Sequence, residues 1–241
     1  MSTLSIKQIP ALRDNYMYLI TCEATGKTAV VDPAEATPVA KALAPGQTLD
    51  YILNTHHHWD HTDGNLCLKE MFGCEIIGSG YEAERIPGLD TPIKEKQTFN
   101  IGNAKAEVLF VPGHTSGHIA FYFPESDALF CGDSLFAGGC GRIFEGTPED
   151  MFKSLQKLAN LPPQTKVYCG HEYTQTNYAF AHQMAPESNE ISAQFIKVKA
   201  LREEQKPTVP STIKQEKQSN IFMLAPNIKT FTTLRKKKDQ F

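Results

Sequence analysis

The stretch that most constrains this chain is Thr55-His56-His57-His58-Trp59-Asp60-His61. It follows the apolar run Tyr51-Ile52-Leu53, which reads as a short strand, so four imidazoles and a carboxylate fall in a strand-end loop. Strand ends are where α/β folds place their sites. Packing such groups in the order His-x-His-x-Asp-His is costly unless something binds them. Imidazole and carboxylate together suit zinc, iron or manganese, and the lack of a thiolate disfavours a closed structural zinc site.

One loop cannot surround a metal, so further donors are expected at other strand ends. Three are found: Gly113-His114 after a strand at 106–111, Gly132-Asp133 after one at 128–131, and Gly170-His171 after one at 166–169. A glycine directly before each donor suits a tight strand-end turn.

Further strands are expected at 5–9, 17–22, 29–32, 75–77 and 119–123, with helices at 35–43, 63–72 and 148–161. Thr147 and Pro148, followed by two acids, mark the clearest helix start, and Pro162-Pro163 ends it. Helical periods follow at 177–184 and 188–205, and Thr212 with Gln215 forms a capping-box pattern that opens another. No convincing strand follows residue 170. The expected division is therefore 1–170, mixed strands and helices, and 171–241, helical.

Composition narrows the partners. A formal net charge of -3 over 241 residues argues against nucleic acid, and no apolar run is long enough to span a bilayer. Six scattered cysteines read as reduced thiols, and Met1 to Pro10 shows no secretory pattern, so a cytoplasmic protein is expected; no exposed apolar helix stands out, so a monomer is the default.

The order His-x-His-x-Asp-His with the later His114, Asp133 and His171 resembles the ligand pattern of the metallo-β-lactamase superfamily. Within it the chain resembles glyoxalase II, the hydroxyacylglutathione hydrolases. The resemblance is carried by Asp14 to Tyr18, Val31-Asp32-Pro33, Thr55 to Asn65, Pro112 to His118, Gly139 to Arg142, Gly170 to Thr174, Pro210 to Thr212 and Lys238 to Phe241. It implies a four-layer αβ/βα sandwich (1–170) that holds a dinuclear metal centre, followed by a small all-α domain (171–241) that binds substrate.

The resemblance implies two divalent ions, zinc most readily, with iron or manganese possible. His56, His58 and His114 would hold one; Asp60, His61 and His171 the other; Asp133 would bridge both. It also implies hydrolysis of S-2-hydroxyacylglutathione thioesters by a metal-bridging hydroxide that Asp60 helps to orient, the second step of methylglyoxal detoxification. Arg142, Phe144, Tyr173, Arg235 and Lys238 would line the glutathione groove, with Arg235 and Lys238 at its glycine end. Many relatives have tyrosine where this chain has Phe144.

Rival readings are another hydrolase of the superfamily such as a lactonase, a mononuclear-iron persulfide dioxygenase, and a non-enzymatic metal-binding module. The helical domain and basic tail argue against the first, the complete second ligand set against the other two. Of the remaining polar and aromatic residues, His57 is expected to point away from the ligands and His118 to support them. His182 should lie on the surface, Trp59 should pack behind the metal loop, and Asp63 could cap the helix that follows. The cysteines should be buried apolar residues.

Overall fold

In the computed structural model, which describes residues 2–241, the strand Asn15–Cys22 is buried along nearly its whole length, so both its faces are covered. It is the second strand of a six-stranded sheet that runs β1 (Leu4–Ala11), β2 (Asn15–Cys22), β3 (Thr28–Val31), β4 (Tyr51–Asn54), β5 (Glu75–Ser79) and β6 (Thr91–Ile93). The first three strands pair antiparallel; β3 to β6 are parallel. The parallel part needs crossovers, supplied by α1 (Ala36–Ala42) and by α2 (Trp59–Thr62) with α3 (Asn65–Phe72). Met17 and Leu19 join Val39, Ile52, Leu68 and Ile76 in one apolar cluster. Tyr18 points to the opposite face and meets Phe130 at 5.4 Å between ring centroids.

Phe130 belongs to an antiparallel set of β7 (Thr98–Ile101), β8 (Ala104–Phe110), β9 (Ile119–Phe123) and β10 (Ala128–Gly132). All these elements lie in the first of two compact units, which comprises the chain to Phe110 together with Gly117–Gly132. That unit is thus layered helix, sheet, sheet. The carboxyl ends of its adjacent parallel strands β3 and β4 deliver Asp32 and the Thr55–His61 loop side by side.

The second unit comprises Val111–Ser116 and Asp133–Phe241. It begins with the hairpin β11 (Leu135–Phe136) and β12 (Gly139–Cys140), then α4 (Pro148–Ala159) and β13 (Lys166–Cys169). Helices α5 (Thr174–Met184) and α6 (Asn189–Glu203) follow, then β14 (Ser211–Thr212), α7 (Ile213–Ser219) and α8 (Ile228–Asp239). Thr147 and Asp150 form a reciprocal capping box at α4, and Ser188, Thr212 and Asn227 cap α6, α7 and α8. Phe180, Phe222, Phe231 and Phe152 make a chain of ring contacts at 5.6–6.0 Å that packs α5, α8 and α4 together.

Several expectations need correction. A two-residue strand does follow residue 170: β14 pairs antiparallel with β13, Val167 opposite Ser211. Asp63 caps no helix from its side chain; it ends α2, and Gly64 precedes α3. The expected 63–72 helix is therefore preceded by a separate single turn. Trp59 is 65% exposed and packs behind nothing. His182 is half-buried, bonded to Ser192 and stacked on Phe195 between α5 and α6. Cys67 is exposed, while the other five thiols are buried. No helix among the described residues is long and apolar enough to cross a membrane.

One buried carboxylate ties the second unit together. Glu216 of α7 is fully buried, and its Oε2 accepts from the Gly138 amide at 2.9 Å and from Asn220 Nδ2 at 2.8 Å. Asn220 Nδ2 also donates to Gly139 O at 2.9 Å, so α7 grips the β11–β12 turn from two residues. Burial pushes the Glu216 carboxyl up to about 7, against the hydrogen bonds that favour its charged form. A carboxyl raised this way contributes stability that is complete below its unfolded pKa and is lost as pH rises through the folded one. Between pH 5 and 8 the wild-type chain should therefore lose more thermal stability than Glu216→Gln, by ~5 °C or more. Parallel melting curves across that range check it.

Candidate metal centre

In the first unit the ligand loop is held by Asp32, at the end of β3. Its φ of 49° places it in the left-handed region, which aspartate tolerates better than most residues. From there its Oδ1 accepts the Thr55 amide at 2.8 Å and its Oδ2 accepts the Thr55 hydroxyl at 2.7 Å. The same Oδ2 lies 3.3 Å from His61 Nδ1, and all of these groups are buried. Gly132 leaves room for the arrangement, because a Cβ there would meet Thr55 Oγ1 at 2.3 Å. Asn15 Nδ2 donates to the Asp60 carbonyl at 2.9 Å and to Asp60 Oδ2 at 3.1 Å, which fixes that carboxylate.

These contacts set the tautomers. The Thr55 hydroxyl gives its proton to Asp32, so toward His56 Nδ1, 3.0 Å away, it accepts. His56 therefore carries its proton on Nδ1 and turns the Nε2 lone pair toward His58 Nδ1, at 3.2 Å. His61, which donates from Nδ1 to Asp32, turns its Nε2 lone pair toward Asp60 Oδ2 at 3.6 Å. Potential ligand atoms of Asp32, His56 and His61 all lie within 4.8 Å of one another. With both oxygens engaged by Thr55, Asp32 orients the ligands.

The second unit carries the other donors in the same manner. His114 Nδ1 donates to the Arg142 carbonyl at 2.7 Å, so its Nε2 lone pair faces Asp133 Oδ2, at 3.4 Å. His171 Nε2 lies at the same distance, 3.4 Å, from that oxygen. Of the expected glycine turns, Gly113 and Gly132 have positive φ, and Gly170 does not. Gly113 is also needed for space, since a Cβ would meet Met151 at 2.7 Å.

A metal fits this chemistry. Two donors on one tetrahedral cation with bonds of about 2.0–2.1 Å stand about 3.3 Å apart. The separations of 3.2, 3.4, 3.4 and 3.6 Å cluster round that value. Lone pairs that face a carboxylate oxygen at such range repel unless a cation lies between them.

The candidate groove residues also lie in the second unit. Tyr173, partly exposed, stacks on His171 at 4.6 Å with an interplanar angle of 2°. Phe144 is 59% exposed and meets His114 edge-on at 5.2 Å, with the Arg142 guanidinium 5.9 Å above its ring. Arg142 Nε also lies 3.4 Å from Asp239 Oδ1.

The basic run proves heterogeneous. Lys236 and Lys237 are exposed, whereas Arg235 is 6% exposed and donates to Cys140 O at 2.8 Å and to Asp239 at 3.1 Å. Lys238 donates to Thr176 O at 3.1 Å between the rings of Phe180 and Phe241. Partial burial, with Arg235 nearby, brings its ammonium down to about 8. His57 bonds Glu82, and His118 stacks on His56 at 4.6 Å, both away from the ligand role. Sequence reading assigned no task to Asp32, Asn15 or Asp239, although each lay within a quoted motif; Glu82 lay in none.

Comparison with known proteins gives the class. The Metallo-beta-lactamase superfamily profile matches residues 11–171, and that for the Hydroxyacylglutathione hydrolase C-terminus matches residues 172–241. The chain belongs to the metallo-β-lactamase superfamily and has its fold, with mixed sheets and a helical C-terminal domain. A structure of ETHE1 from Myxococcus xanthus shares that fold, with a TM-score of 0.75 at 24% identity over 96% of this chain and 90% of that one. TTHA1623, solved in a di-iron-bound form, is 29% identical, with a TM-score of 0.58 over 69% of this chain and 91% of that one. The hydroxyacylglutathione hydrolase of Rhodospirillum rubrum is 49% identical over 100% of both chains. That of Methylococcus capsulatus is 47% identical over 99% of both. Within the superfamily the chain is thus a member of the hydroxyacylglutathione hydrolases, or glyoxalase II.

Arg235 and Lys238 should separate on substitution. Arg235→Ala removes a buried charged donor from a backbone carbonyl and is expected to cost about 1–3 kcal/mol of stability. Lys238→Ala should cost well under 1 kcal/mol. Urea denaturation of both variants decides this.

Proposed function

We propose that this hydrolase cleaves S-2-hydroxyacylglutathione thioesters, S-D-lactoylglutathione among them, to a 2-hydroxy acid and glutathione, the second step of methylglyoxal detoxification. The observation that carries the reading is the full-length likeness to hydroxyacylglutathione hydrolases, C-terminal domain included. A lactonase would leave that domain without a task.

We assign His56, His58 and His114 to one divalent ion, Asp60, His61 and His171 to the other, and Asp133 to both. The ligand-like separations within each set of donors support two metals, as does the di-iron form of TTHA1623; zinc is the first candidate, then iron or manganese. Two divalent ions held there would supply Lewis-acid polarisation of an acyl oxygen and would bring the pKa of water toward neutrality. The chain's own residues do the rest. Asp60, fixed by Asn15, orients the attacking water through its carboxylate. The departing thiolate is a good leaving group and needs little general-acid help. No serine or cysteine nucleophile is required.

The glutathione portion is held by residues of the 171–241 domain and the loop after β12. Arg142 and Lys238 offer cations to its carboxylates, while Tyr173 and Phe144 offer ring faces and edges to its peptide. Arg235 holds the Cys140 carbonyl and Asp239, and thereby helps to fix Arg142. We place the enzyme in the cytoplasm as a monomer, a setting its free thiols favour.

Metal-replete protein should consume S-D-lactoylglutathione, seen as loss of thioester absorbance, and a chelator should abolish the activity. Failure of the replete protein to turn over sinks the assignment. The lowered Lys238 pKa adds a pH signature. Lys238 is charged below about 8, so kcat/KM should fall as pH rises through 8. Lys238→Arg, always charged, should lessen that fall, with the difference in KM more than in kcat.

A further inference from the structure

Glu82 lies in the irregular segment after β5 and is only 2% exposed. A buried carboxylate is costly unless every lone pair finds a donor. Its Oε2 accepts the His57 amide at 3.0 Å and lies 2.7 Å from His57 Nδ1; its Oε1 accepts the Gly117 amide at 2.8 Å. Arg85 Nη2 donates to the other ring nitrogen, His57 Nε2. A guanidinium can only donate, so Nε2 accepts and the His57 proton resides on Nδ1, given to Glu82. His57 is thus locked at both nitrogens and turned to Glu82.

That lock bears on the ligands at either side. His57 separates His56 from His58 in the chain, and Gly117 precedes His118, whose ring stacks on His56 at 4.6 Å and 19°. One carboxylate therefore grips the backbone on the ligand-loop side of the His56 ring and on its stacking side. Space for it is provided by the sequence: a Cβ on Gly117 would meet Glu82 Cγ at 2.3 Å. The turn that presents Glu82 is closed by its own amide on Ser79 O at 3.1 Å and by Arg85 N on its carbonyl at 2.9 Å.

We infer that Glu82, with Arg85 and Gly117, is a positioning element that sets the metal affinity of the His56–His58 pair through His57 and His118. It touches neither substrate nor metal. The inference rests on the dinuclear reading above. Outer partners of this kind contribute about 10–100-fold in metal affinity.

The test is titration of metal-free protein with Co(II), read by visible absorption, chelator competition and metal content per chain. Glu82→Gln should weaken one of two Co(II) sites about 10–100-fold and alter its visible bands. Gly117→Ala, which keeps the carboxylate but displaces it, should do likewise. At saturating metal both should regain most of their kcat, with KM unchanged. Arg85→Ala, at an exposed position, leaves the buried carboxylate in place and should weaken the same site roughly tenfold. It decides the matter if the other two variants fold poorly. Wild-type affinity and spectrum in every variant that folds overturns the role of Glu82. A wild-type chain that takes up fewer than two Co(II) ions overturns the dinuclear reading instead.

Discussion

The constraint on which the rest of this structure depends is electrostatic: nitrogen lone pairs are aimed at carboxylate oxygens at distances too long for a shared proton and too short to be neutral. His114 Nε2 and His171 Nε2 each stand 3.4 Å from the same oxygen of Asp133, and His61 Nε2 stands 3.6 Å from Asp60. Coulomb repulsion would open such contacts in a pliable loop. Three of the rings are fixed from behind. Asp32 holds His61, Thr55 holds His56, and the Arg142 carbonyl holds His114. The far nitrogen of these three is protonated, so the near one has a lone pair to offer a cation.

The supports come from chain segments that secondary structure makes rigid. Asp32 ends β3 and Thr55 follows β4, neighbouring parallel strands whose register brings Val31 opposite Leu53. The left-handed backbone at Asp32 is a local strain, offset by three contacts to its carboxylate. In the second unit Glu216 and Asn220 secure the β11–β12 turn, and Arg235 secures the carbonyl that follows it. Buried charges thus serve placement here, since paired buried ions contribute little net stability compared with apolar packing.

The clustered histidines and aspartates were legible in the sequence because residues of these types recur directly after its apolar strand runs. Strands built on apolar runs, such as Ile119–Phe123 and Lys166–Cys169 with its Val167 to Cys169, were legible to the residue. What was hidden follows a pattern. Thr91–Ile93 and Thr98–Ile101 are short, partly exposed strands with a proline or polar residues inside, and only pairing with their neighbours makes them strands. The last helix, Ile228–Asp239, has few apolar residues and ends in lysines, so no helical period marked it in the sequence. The supports of the ligands were silent for a different reason: a lone aspartate, asparagine or glutamate gives no signal until the fold brings its partners to it. Glu82, in a stretch without periodicity, is the clearest instance.

The charged run at the end of α8 shows why composition alone misleads about function. Four adjacent cations look interchangeable, yet helical spacing sends them to three environments. Arg235 is buried against Cys140 and Phe222, Lys238 is half-buried between two phenylalanines, and Lys236 and Lys237 remain in solvent. Burial lowers the Lys238 pKa and strips hydration from its ammonium. Arg235, whose donors are committed to a carbonyl and to Asp239, acts on Arg142 at one remove. Spacing along one helix therefore divides a single basic cluster into buried, half-buried and solvent-exposed charges, and the division follows from which side of α8 faces its neighbours.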